Sequence, residues 1–323
     1  MPDKPTTRFR RLLHSPELLL IPGGFSPLAA RMIEAAGLHA FFLAGSQTSA
    51  YVYGLPDVGI MGREEMLGAI RRVTDVSDVC VFADADTGFG SALNVYTTVQ
   101  AYIRAGAAAM HIEDQEFPKR SGTTSGRRCI SLAEAVGKYK AAVAAKNELD
   151  PDFVFCARCD LIGAEGGSFE AAVERCIAYV EDAGVDMIWL NTVQTPDEVA
   201  EAIQRIPGPV MPTYGGPQPG PTLDQLQAWG AAAAIFPGMT SSIGLQQTWD
   251  LLNDLHERGQ AALDDRRPPS ETSESKWGRV RFDSFVSPSP QRVKELEAAF
   301  LPSDQQRDYD TTFGFSAPPG GTG

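Results

Sequence analysis

Short apolar runs alternate with amphipathic stretches from Leu18 to about Leu263 of the chain. The apolar runs, of which LLLIPGG and VCVFADAD are typical, carry almost no internal charge, which is characteristic of strands buried on both faces. The stretches between them, such as REEMLGAIRRV and TPDEVAEAIQRI, place apolar residues three and four positions apart, as amphipathic helices do. Buried strands separated by helices predict a parallel sheet covered by helices.

The alternation contains eight predicted strands and eight predicted helices. The strands are LLLIPGG, AFFLAG, VCVFADAD, AAMHIED, FVFCARCD, MIWLN, PVMPTY and AAAIFPG. Eight such units favour a closed (β/α)8 barrel, the TIM-barrel fold, over an open doubly wound sheet. The segment after the first strand, IPGGFSPLAA, also lacks the G-x-G-x-x-G pattern of a dinucleotide-binding turn.

We assign residues 1–264 to one barrel domain. Residues 265–302 contain a polar segment rich in Pro and Ser and then the amphipathic stretch PQRVKELEAAFL, which we interpret as a linker and a C-terminal docking helix. The tail, 303–323, ends in SAPPGGTG and is predicted to be disordered in isolation.

Composition and charge narrow the function classes. A net charge of −13 argues against nucleic acid or an anionic membrane as a partner. The N-terminus resembles no signal peptide, and no apolar run is long enough to span a membrane. Five irregularly spaced cysteines are typical of reduced thiols, so a cytoplasmic protein is predicted. Cys156 and Cys159 form a C-x-x-C, but residues three apart on a strand face opposite sides, so we expect neither a redox pair nor a zinc site.

Four carboxylates are predicted to meet at one mouth of the barrel. Asp84 and Asp86 end the third strand, and side chains two residues apart on a strand point the same way. Such a pair repels unless a cation or a shared proton lies between its members. Asp57, in the loop GLPDVG, and Glu113, at the end of the fourth strand, add two more acids. Hard oxygen ligands of this kind favour Mg²⁺, or Mn²⁺, over zinc.

Other candidate residues lie at the same strand ends, where barrels build their active sites. Arg158 and Lys119 supply positive charge for a small anionic carboxylate. The predicted substrate-binding residues are Phe42, Ala44, Gly45, Ser46, Arg158, Asn191 and Thr213. His111, two residues before Glu113, is either packed inside the barrel or a partner that orients Glu113.

The motifs DADTGFG and HIEDQEFPKRSG resemble those of the isocitrate lyase/phosphoenolpyruvate mutase superfamily. The similarity continues from FRRLLHSPELLL at the N-terminus to the Phe-Pro of AIFPG. It implies a (β/α)8 barrel whose last helix is exchanged between the subunits of a dimer or tetramer. It also implies Mg²⁺ and cleavage or formation of a C–C or P–C bond next to a carboxylate, through an enolate-type intermediate.

The resemblance also implies roles for individual residues. Asp84 would be the nearest metal ligand, and the other three acids would act mainly through water. Arg158 would hold the substrate carboxylate, helped by backbone amides around Gly45 and Ser46.

The chain departs from the lyases of this superfamily in the loop after the fourth strand. Lyases carry Lys-(Lys/Arg)-Cys-Gly-His there, and the Cys protonates the departing enolate. Here Ser121 replaces the Cys and Thr123 the His. A hydroxyl is a much weaker acid than a thiol, whose pKa is about 8.5. Asn191, Thr213 and Ala44 also stand where relatives have other residues.

The predicted catalytic residues are therefore Lys119, Ser121 and Arg158. Lys119 is a candidate acid if desolvation lowers its pKa, and Gly122 and Gly126 would let the loop close over a substrate.

The leading hypothesis is an Mg²⁺-dependent lyase acting on a small 2-hydroxy or 2-oxo dicarboxylate. One alternative is P–C chemistry by a phosphonomutase or a phosphonopyruvate-type hydrolase. Another is hydrolysis of an oxaloacetate-type C–C bond. A third, of a different class, is a barrel that binds Mg²⁺ and a dicarboxylate without turning it over.

Overall fold

Eight parallel strands form a nearly closed barrel in the computed structural model of the chain, which describes residues 3–217, 219–265 and 282–309. The strands are β1 (Leu19–Gly24), β2 (Ala40–Leu43), β3 (Cys80–Asp84), β4 (Ala109–Glu113), β5 (Val154–Cys159), β6 (Met187–Val193), β7 (Val210–Tyr214) and β8 (Ala233–Phe236). Hydrogen-bonded ladders join them in the order β7-β6-β5-β4-β3-β2-β1-β8. Between β7 and β8, the N–H of Ala232 donates to the carbonyl oxygen of Val210 (2.9 Å). The predicted (β/α)8 fold is confirmed.

Twelve α-helices lie in the described residues. They are α1 (Pro5–Leu13), α2 (Pro27–Ala35), α3 (Gly45–Tyr53), α4 (Arg63–Thr74), α5 (Ala92–Arg104), α6 (Leu132–Leu149), α7 (Phe169–Glu181), α8 (Pro196–Arg205), α9 (Leu223–Trp229), α10 (Met239–Arg258), α11 (Gln260–Asp264) and α12 (Pro290–Phe300). A capping box begins α8, because Thr195 Oγ1 accepts from the N–H of Glu198 (3.2 Å) and the Glu198 carboxylate accepts from the N–H of Thr195 (3.1 Å). None of the described helices is both long and apolar enough to cross a bilayer.

The chain divides into two compact units, Met1–Pro268 and Pro269–Gly323. The first contains the barrel, and the second contains α12. The predicted domain bounds at residues 264 and 302 stay predictions. Most of the predicted linker (266–281) and of the predicted tail (310–323) lies outside the described residues.

Strand periodicity separates two apolar cores. The core inside the barrel includes Phe42, Phe82 and Trp189, and the core between the strands and the surrounding helices includes Phe41 and Val81. Because successive strand residues alternate between these cores, Cys156 faces inward and Cys159 outward. All five cysteines are free thiols.

Helix α1 packs against the barrel at the N-terminal ends of its strands, although the alternating pattern, which begins at Leu18, does not predict this helix. Phe9 is fully buried in the inner core, with its ring centroid 6.0 Å from that of Phe82. Arg10 donates to the carbonyl oxygen of Phe153 (3.0 Å) and pairs with Asp186 (2.7 Å). These contacts tie α1 to residues far along the chain.

Candidate active site

The register of the sheet brings three charged side chains to the inner face of the barrel mouth. Asp84 ends β3 opposite His111, and Glu113 ends β4 opposite Arg158 of β5. These three side chains and that of His111 continue the inward-facing rows that carry the inner core, and all four residues are buried. An acid, a second acid and a guanidinium therefore lie side by side at the carboxyl ends of adjacent strands, as the sequence predicts.

Asp86 reaches the same mouth by a turn, and the prediction that it shares a strand face with Asp84 is wrong. Strand β3 ends at Asp84, and Asp86 adopts a left-handed conformation with φ 45°. The N–H of Asp86 donates to Asp84 Oδ1 (2.9 Å), and the N–H of Glu113 donates to the carbonyl oxygen of Asp86 (2.9 Å). The Asp84 carboxylate thus accepts from the backbone N–H two residues further along the chain, as aspartates do in turns. Asp84 and Asp86 therefore both reach the barrel mouth, but a turn places Asp86 there and not the pleat of the strand.

The ammonium group of Lys119 lies among three of the four predicted acids. Its Nζ is 2.5 Å from Asp57 Oδ1, 2.9 Å from Asp86 Oδ1 and 3.7 Å from Glu113 Oε1. The side chain is only 3% exposed. The positive charge that the acid pair requires is thus supplied, in this arrangement, by the protein itself.

Burial and charge set the protonation of this cluster. Burial raises the pKa of Asp86 to about 6 and raises the pKa of Glu113 well above its ordinary value. For Lys119, burial alone would lower the pKa, but the charges of Glu113 and Asp86 outweigh it and raise the pKa. The condition set for Lys119 as a candidate acid, a pKa lowered by desolvation, is therefore not met in this arrangement, and the group stays an ammonium ion.

Asp84 is fixed by donors on both of its oxygens. Oδ2 accepts from the N–H of Gly45 (3.0 Å), and Oδ1 accepts from the N–H of Asp86. A Cβ at Gly45 would lie 2.9 Å from Asp84 Oδ2 and would displace this carboxylate. Burial opposes ionisation, but His111 and Lys119 hold the pKa of Asp84 below its ordinary value. Asp84 is therefore an ionised carboxylate in a fixed position.

Gly45 also begins α3, a helix where the sequence analysis placed only a strand end and a loop. Its N-cap residue, Ala44, has no side-chain oxygen to accept from the first-turn N–H groups. Ala44 is fully buried and Ser46 half-buried beside it. The helix therefore offers N–H donors at the barrel mouth.

The donor set fits a magnesium ion that binds largely through water. In the described part of the chain, no group of three or more His, Cys, Asp or Glu side chains is spaced to ligate an ion directly. Magnesium, however, keeps several waters and needs only one or two carboxylates. Asp86 Oδ1 and Glu113 Oε1 are buried and accept no well-oriented hydrogen bond among the described residues, although the Lys119 ammonium lies 2.9 Å and 3.7 Å from them. Together with ionised Asp84, these oxygens suit a hydrated divalent cation.

Arg158 is held by acids and by an indole ring. Its guanidinium pairs with Glu113 (3.3 Å) and Asp160 (3.0 Å) and lies 4.6 Å from the ring centroid of Trp189. Burial opposes the charge of Arg158, but the two acids raise its pKa. Burial also opposes ionisation of Asp160, yet Arg158 and hydrogen bonds lower the pKa of Asp160 to about 2. The sequence places Asp160 at the same strand end as Arg158 but predicts no role for it.

The remaining predicted substrate-binding residues lie around Trp189. Phe42 packs edge-on against that ring, with centroids 5.6 Å apart. Thr213 Oγ1 accepts from Trp189 Nε1 (2.5 Å), and Asn191 Nδ2 donates to the carbonyl oxygen of Gly122 (3.0 Å). The structure brings these side chains to the inner face, and their role in substrate binding stays a prediction.

The β4–α6 loop, residues 114–131, folds back over Arg158. A backbone bridge pairs Gln115 with Cys129 at its base. A Cβ at Gly122 would lie 1.8 Å from Arg158 Nη2, so only glycine allows this approach. Ser121, beside it, is half-buried. Cys129 donates instead to Asp114 (3.5 Å), and burial raises its pKa, so this thiol is no substitute for the missing acid.

His111 packs inside the barrel. It is fully buried, with its ring centroid 4.7 Å from that of Trp189 and 5.6 Å from that of Phe42. Its Nε2 lies 3.4 Å from Asp84 Oδ1. The nearest acid is thus Asp84 and not Glu113, and burial lowers the pKa of His111 to about 4.

We expect His111 to make the protein less stable in acid. The pKa of His111 is ~6.5 in the unfolded state and about 4 in the folded state. Between these pH values the unfolded state binds more protons, so the free energy of unfolding falls as the pH drops. Between pH 7 and 4.5, wild type should lose about 2 kcal/mol more of its free energy of unfolding than His111→Phe. Urea denaturation at both pH values measures this. The exposed His39→Gln serves as the control, and equal losses in wild type and His111→Phe would contradict the expectation.

A parallel barrel with buried carboxylates and a buried arginine at its strand ends has the site layout of (β/α)8-barrel enzymes. The phosphoenolpyruvate phosphomutase family matches residues 9–252 of the chain. The chain therefore belongs to this family, within the phosphoenolpyruvate mutase/isocitrate lyase superfamily.

Individual relatives and solved structures support the same superfamily. The chain is 40% identical over 237 residues to a 2-methylisocitrate lyase of Escherichia coli (strain K12), covering 72% of this chain and 78% of the relative. It is 35% identical over 250 residues to a 2,3-dimethylmalate lyase of Eubacterium barkeri, covering 77% and 85%. A phosphonopyruvate hydrolase, solved in complex with oxalate and Mg²⁺, superposes with a TM-score of 0.76 at 28% identity, covering 93% and 100%. The homologues of the chain thus include carbon–carbon lyases of the superfamily.

Proposed function

We propose that the chain is an Mg²⁺-dependent lyase that cleaves or forms a C–C bond in a small 2-hydroxy or 2-oxo dicarboxylate through an enolate. The observation that carries the proposal is the mouth of the barrel, where buried Asp84, Asp86 and Glu113 lie beside Arg158. Acids that suit a divalent cation, next to a guanidinium that suits a carboxylate, match the needs of this chemistry. The two relatives named as lyases of substituted acids support it.

Asp84 would hold the metal directly, and Asp57, Asp86 and Glu113 would hold its water ligands. When bound, Mg²⁺ (or Mn²⁺) supplies positive charge that stabilises the developing enolate. The Gly45 N–H keeps Asp84 in position for this role (3.0 Å).

Arg158 would bind the substrate carboxylate. The residue is 7% exposed, and its Nε has no hydrogen-bond partner among the described residues. A carboxylate can accept from such a guanidinium in a two-pronged arrangement. The first-turn N–H groups at Ser46 and beyond would complete the anion site at the N-terminus of α3.

Lys119 would place its charge on the reacting part of the substrate. Cleavage leaves an electron pair on the carbon next to a carboxylate, and that carbon must then take up a proton. Because Lys119 stays an ammonium ion beside Asp86 and Glu113, it can stabilise the enolate and stands in the loop that would deliver the proton. Ser121, two residues on, is the second candidate in that loop.

A P–C reaction is the second candidate function. It is favoured by Ser121, which stands where the lyases carry their proton-donating Cys, and by the similarity to a phosphonopyruvate hydrolase. A reaction that ends in hydrolysis of a P–C or an oxaloacetate-type bond does not need the thiol.

A substrate screen separates these functions. The protein is incubated with Mg²⁺ and a panel of 2-substituted malates, oxaloacetate and phosphonopyruvate, and products are identified by mass spectrometry and phosphorus NMR. Succinate or pyruvate together with a second small acid from a substituted malate supports the lyase. Phosphate from phosphonopyruvate, or acetate and oxalate from oxaloacetate, supports hydrolysis. Binding of these acids without any product would support a barrel that only binds them.

Helix α10 leads us to propose a homodimer or a homotetramer. Of its 20 residues, only Ser241 is buried in the single chain, and Leu245, Trp249 and Leu252, spaced i, i+4 and i+7 on one face, are 60%, 62% and 54% exposed. Apolar side chains in such a row are typical of a protein interface. A second copy of the chain is the partner implied by the family resemblance.

Light scattering at micromolar concentration should therefore give two or four times the 34.7 kDa chain mass. Trp249→Glu combined with Leu252→Glu should shift the protein towards the monomer, because two charges would be buried in the interface. Gln247→Glu, at an exposed polar position of the same helix, is the control. A 34.7 kDa particle for the wild type would contradict the assembly.

We also propose a cytoplasmic location. All five thiols are unpaired, and Cys156 and Cys159 face different cores and cannot pair with each other without rearrangement. Free thiols at this number are typical of a reducing compartment.

A further inference from the structure

Side chains of the β4–α6 loop itself fasten the loop to the barrel at two points. At the first point, the Gln115 amide donates to the carbonyl oxygen of Arg120 (2.9 Å) and accepts from the N–H of Arg120 (2.9 Å). This pair of bonds fixes the backbone directly after Lys119. Gln115 is 1% exposed, so the contact is shielded from water.

The second point is the guanidinium of Arg127, which is 5% exposed. It donates to the carbonyl oxygens of Gly122 (2.8 Å) and Ile162 (2.8 Å) and to Thr192 Oγ1 (3.3 Å). It also pairs with Asp160 Oδ1 (3.2 Å). One side chain thus ties the middle of the loop to the segments that follow β5 and to β6.

Asp160 joins both fastening points to Arg158. Its Oδ2 accepts from Gln115 Nε2 (3.0 Å), while its Oδ1 lies 3.2 Å from Arg127 and 3.0 Å from Arg158. The carboxylate is fully buried and ionised, so each of these donors is held by a full charge in a dry environment. The loop position and the position of Arg158 therefore depend on the same group.

We propose that Arg127 is a positioning residue, which latches the β4–α6 loop so that the ammonium of Lys119 stays within the acid cluster. The inference rests on the proposed function only in taking Lys119 as a catalytic residue. Arg127 does not touch the acids around Lys119, and it acts through the carbonyl of Gly122, which lies between the two residues in the loop.

A role in charge balance alone does not account for these contacts. Asp160 already has Arg158 as a cationic partner, and two of the Arg127 bonds go to neutral carbonyls. The side chain of the neighbouring Arg128, by contrast, makes a single ion pair in the described part of the chain, with exposed Glu165 (2.7 Å), and contributes little to the loop's stability. Arg128 therefore provides a matched control of the same residue type.

The test measures how often Lys119 becomes accessible. The protein, without added substrate, is treated with an amine-reactive succinimidyl ester, and mass spectrometry gives the acylation rate of Lys119 relative to exposed Lys140. Losing the buried bonds of Arg127 should raise this rate about tenfold or more in Arg127→Met. Arg128→Met should match the wild type. Hydrogen exchange should rise in the peptides that cover the loop and not in the peptide that covers α8, because a general loss of stability would affect both.

A folded Arg127→Met protein with wild-type labelling of Lys119 would overturn the proposal. If that variant does not fold, Gly122→Ala displaces the loop without removing the guanidinium, because the new Cβ would lie 1.8 Å from Arg158 Nη2. It should raise the labelling of Lys119 as well, and unchanged labelling would overturn the latch. None of these measurements requires turnover, so failure of the latch and failure of the proposed lyase activity are distinguishable.

Discussion

Replacing Asp84 with alanine is expected to abolish both Mg²⁺ binding and turnover. Asp84 is the acid whose pKa lies below its ordinary value and whose oxygens are both oriented by backbone N–H donors. It is therefore the ionised, pre-positioned ligand, whereas burial raises the pKa values of Asp86 and Glu113. Removing it leaves acids that bind the ion only through water. Isothermal calorimetry with Mg²⁺ measures the binding, and the substrate screen measures the turnover.

Two further variants make this result interpretable. Asp84→Asn keeps an oxygen that can accept from the N–H of Gly45 but removes the charge, so it should lose Mg²⁺ while remaining folded. Asp75→Ala, at the exposed residue that follows α4, removes an aspartate far from the site and should bind like wild type. Unchanged Mg²⁺ affinity in Asp84→Ala would place the metal elsewhere.

Lys119→Ala is expected to lose at least ~100-fold in turnover, the typical size of an acid–base contribution. The same variant should bind Mg²⁺ at least as tightly as wild type. The Lys119 ammonium lies 2.5 Å from Asp57 and 2.9 Å from Asp86, where it competes with a second cation for these oxygens. The Mg²⁺ affinity, measured by calorimetry, and the turnover, measured by steady-state kinetics on the same preparation, should therefore change differently. A general loss of folding would lower both.

Ser121→Cys and Lys140→Ala complete this experiment. Ser121→Cys should keep the activity, or raise cleavage of 2-substituted malates, because a thiol is the stronger acid. Lys140→Ala, at an exposed position of α6, should be neutral. If Lys119→Ala turns over normally, the β4–α6 loop is not catalytic, and the barrel that only binds dicarboxylates becomes the better proposal.

The strands could be predicted from the sequence because a strand buried on both faces is a nearly continuous run of apolar residues. Asp84, Glu113 and Arg158 could be predicted with them, since each ends an apolar run and strand parity gives its direction. Helix α3 could not. Its sequence, GSQTSAYVY, contains few strong helix formers and follows β2 without a polar N-cap. The packing of its start against Asp84 is a tertiary effect.

The contacts of the β4–α6 loop could not be predicted for a different reason. Arg127 and Asp160 are 33 residues apart, and no periodicity links a loop residue to a strand end. The motif that contains Lys119 was visible, but its place among three acids depends on the course of a loop with little regular structure. That course in turn depends on Gly122, whose missing side chain leaves no pattern in the sequence.

The docking of α1 has a consequence for the order in which the protein is made. The partners of Arg10 are Phe153, at the start of β5, and Asp186, just before β6. Ribosomes extend a chain from the N-terminus at roughly 5–20 residues per second, so these partners emerge many seconds after α1 does. Throughout that interval the inner core that buries Phe9 and Leu13 is incomplete, and these side chains are available to chaperones. Helix α1 therefore completes its native contacts only after the segments around Phe153 and Asp186 have been translated.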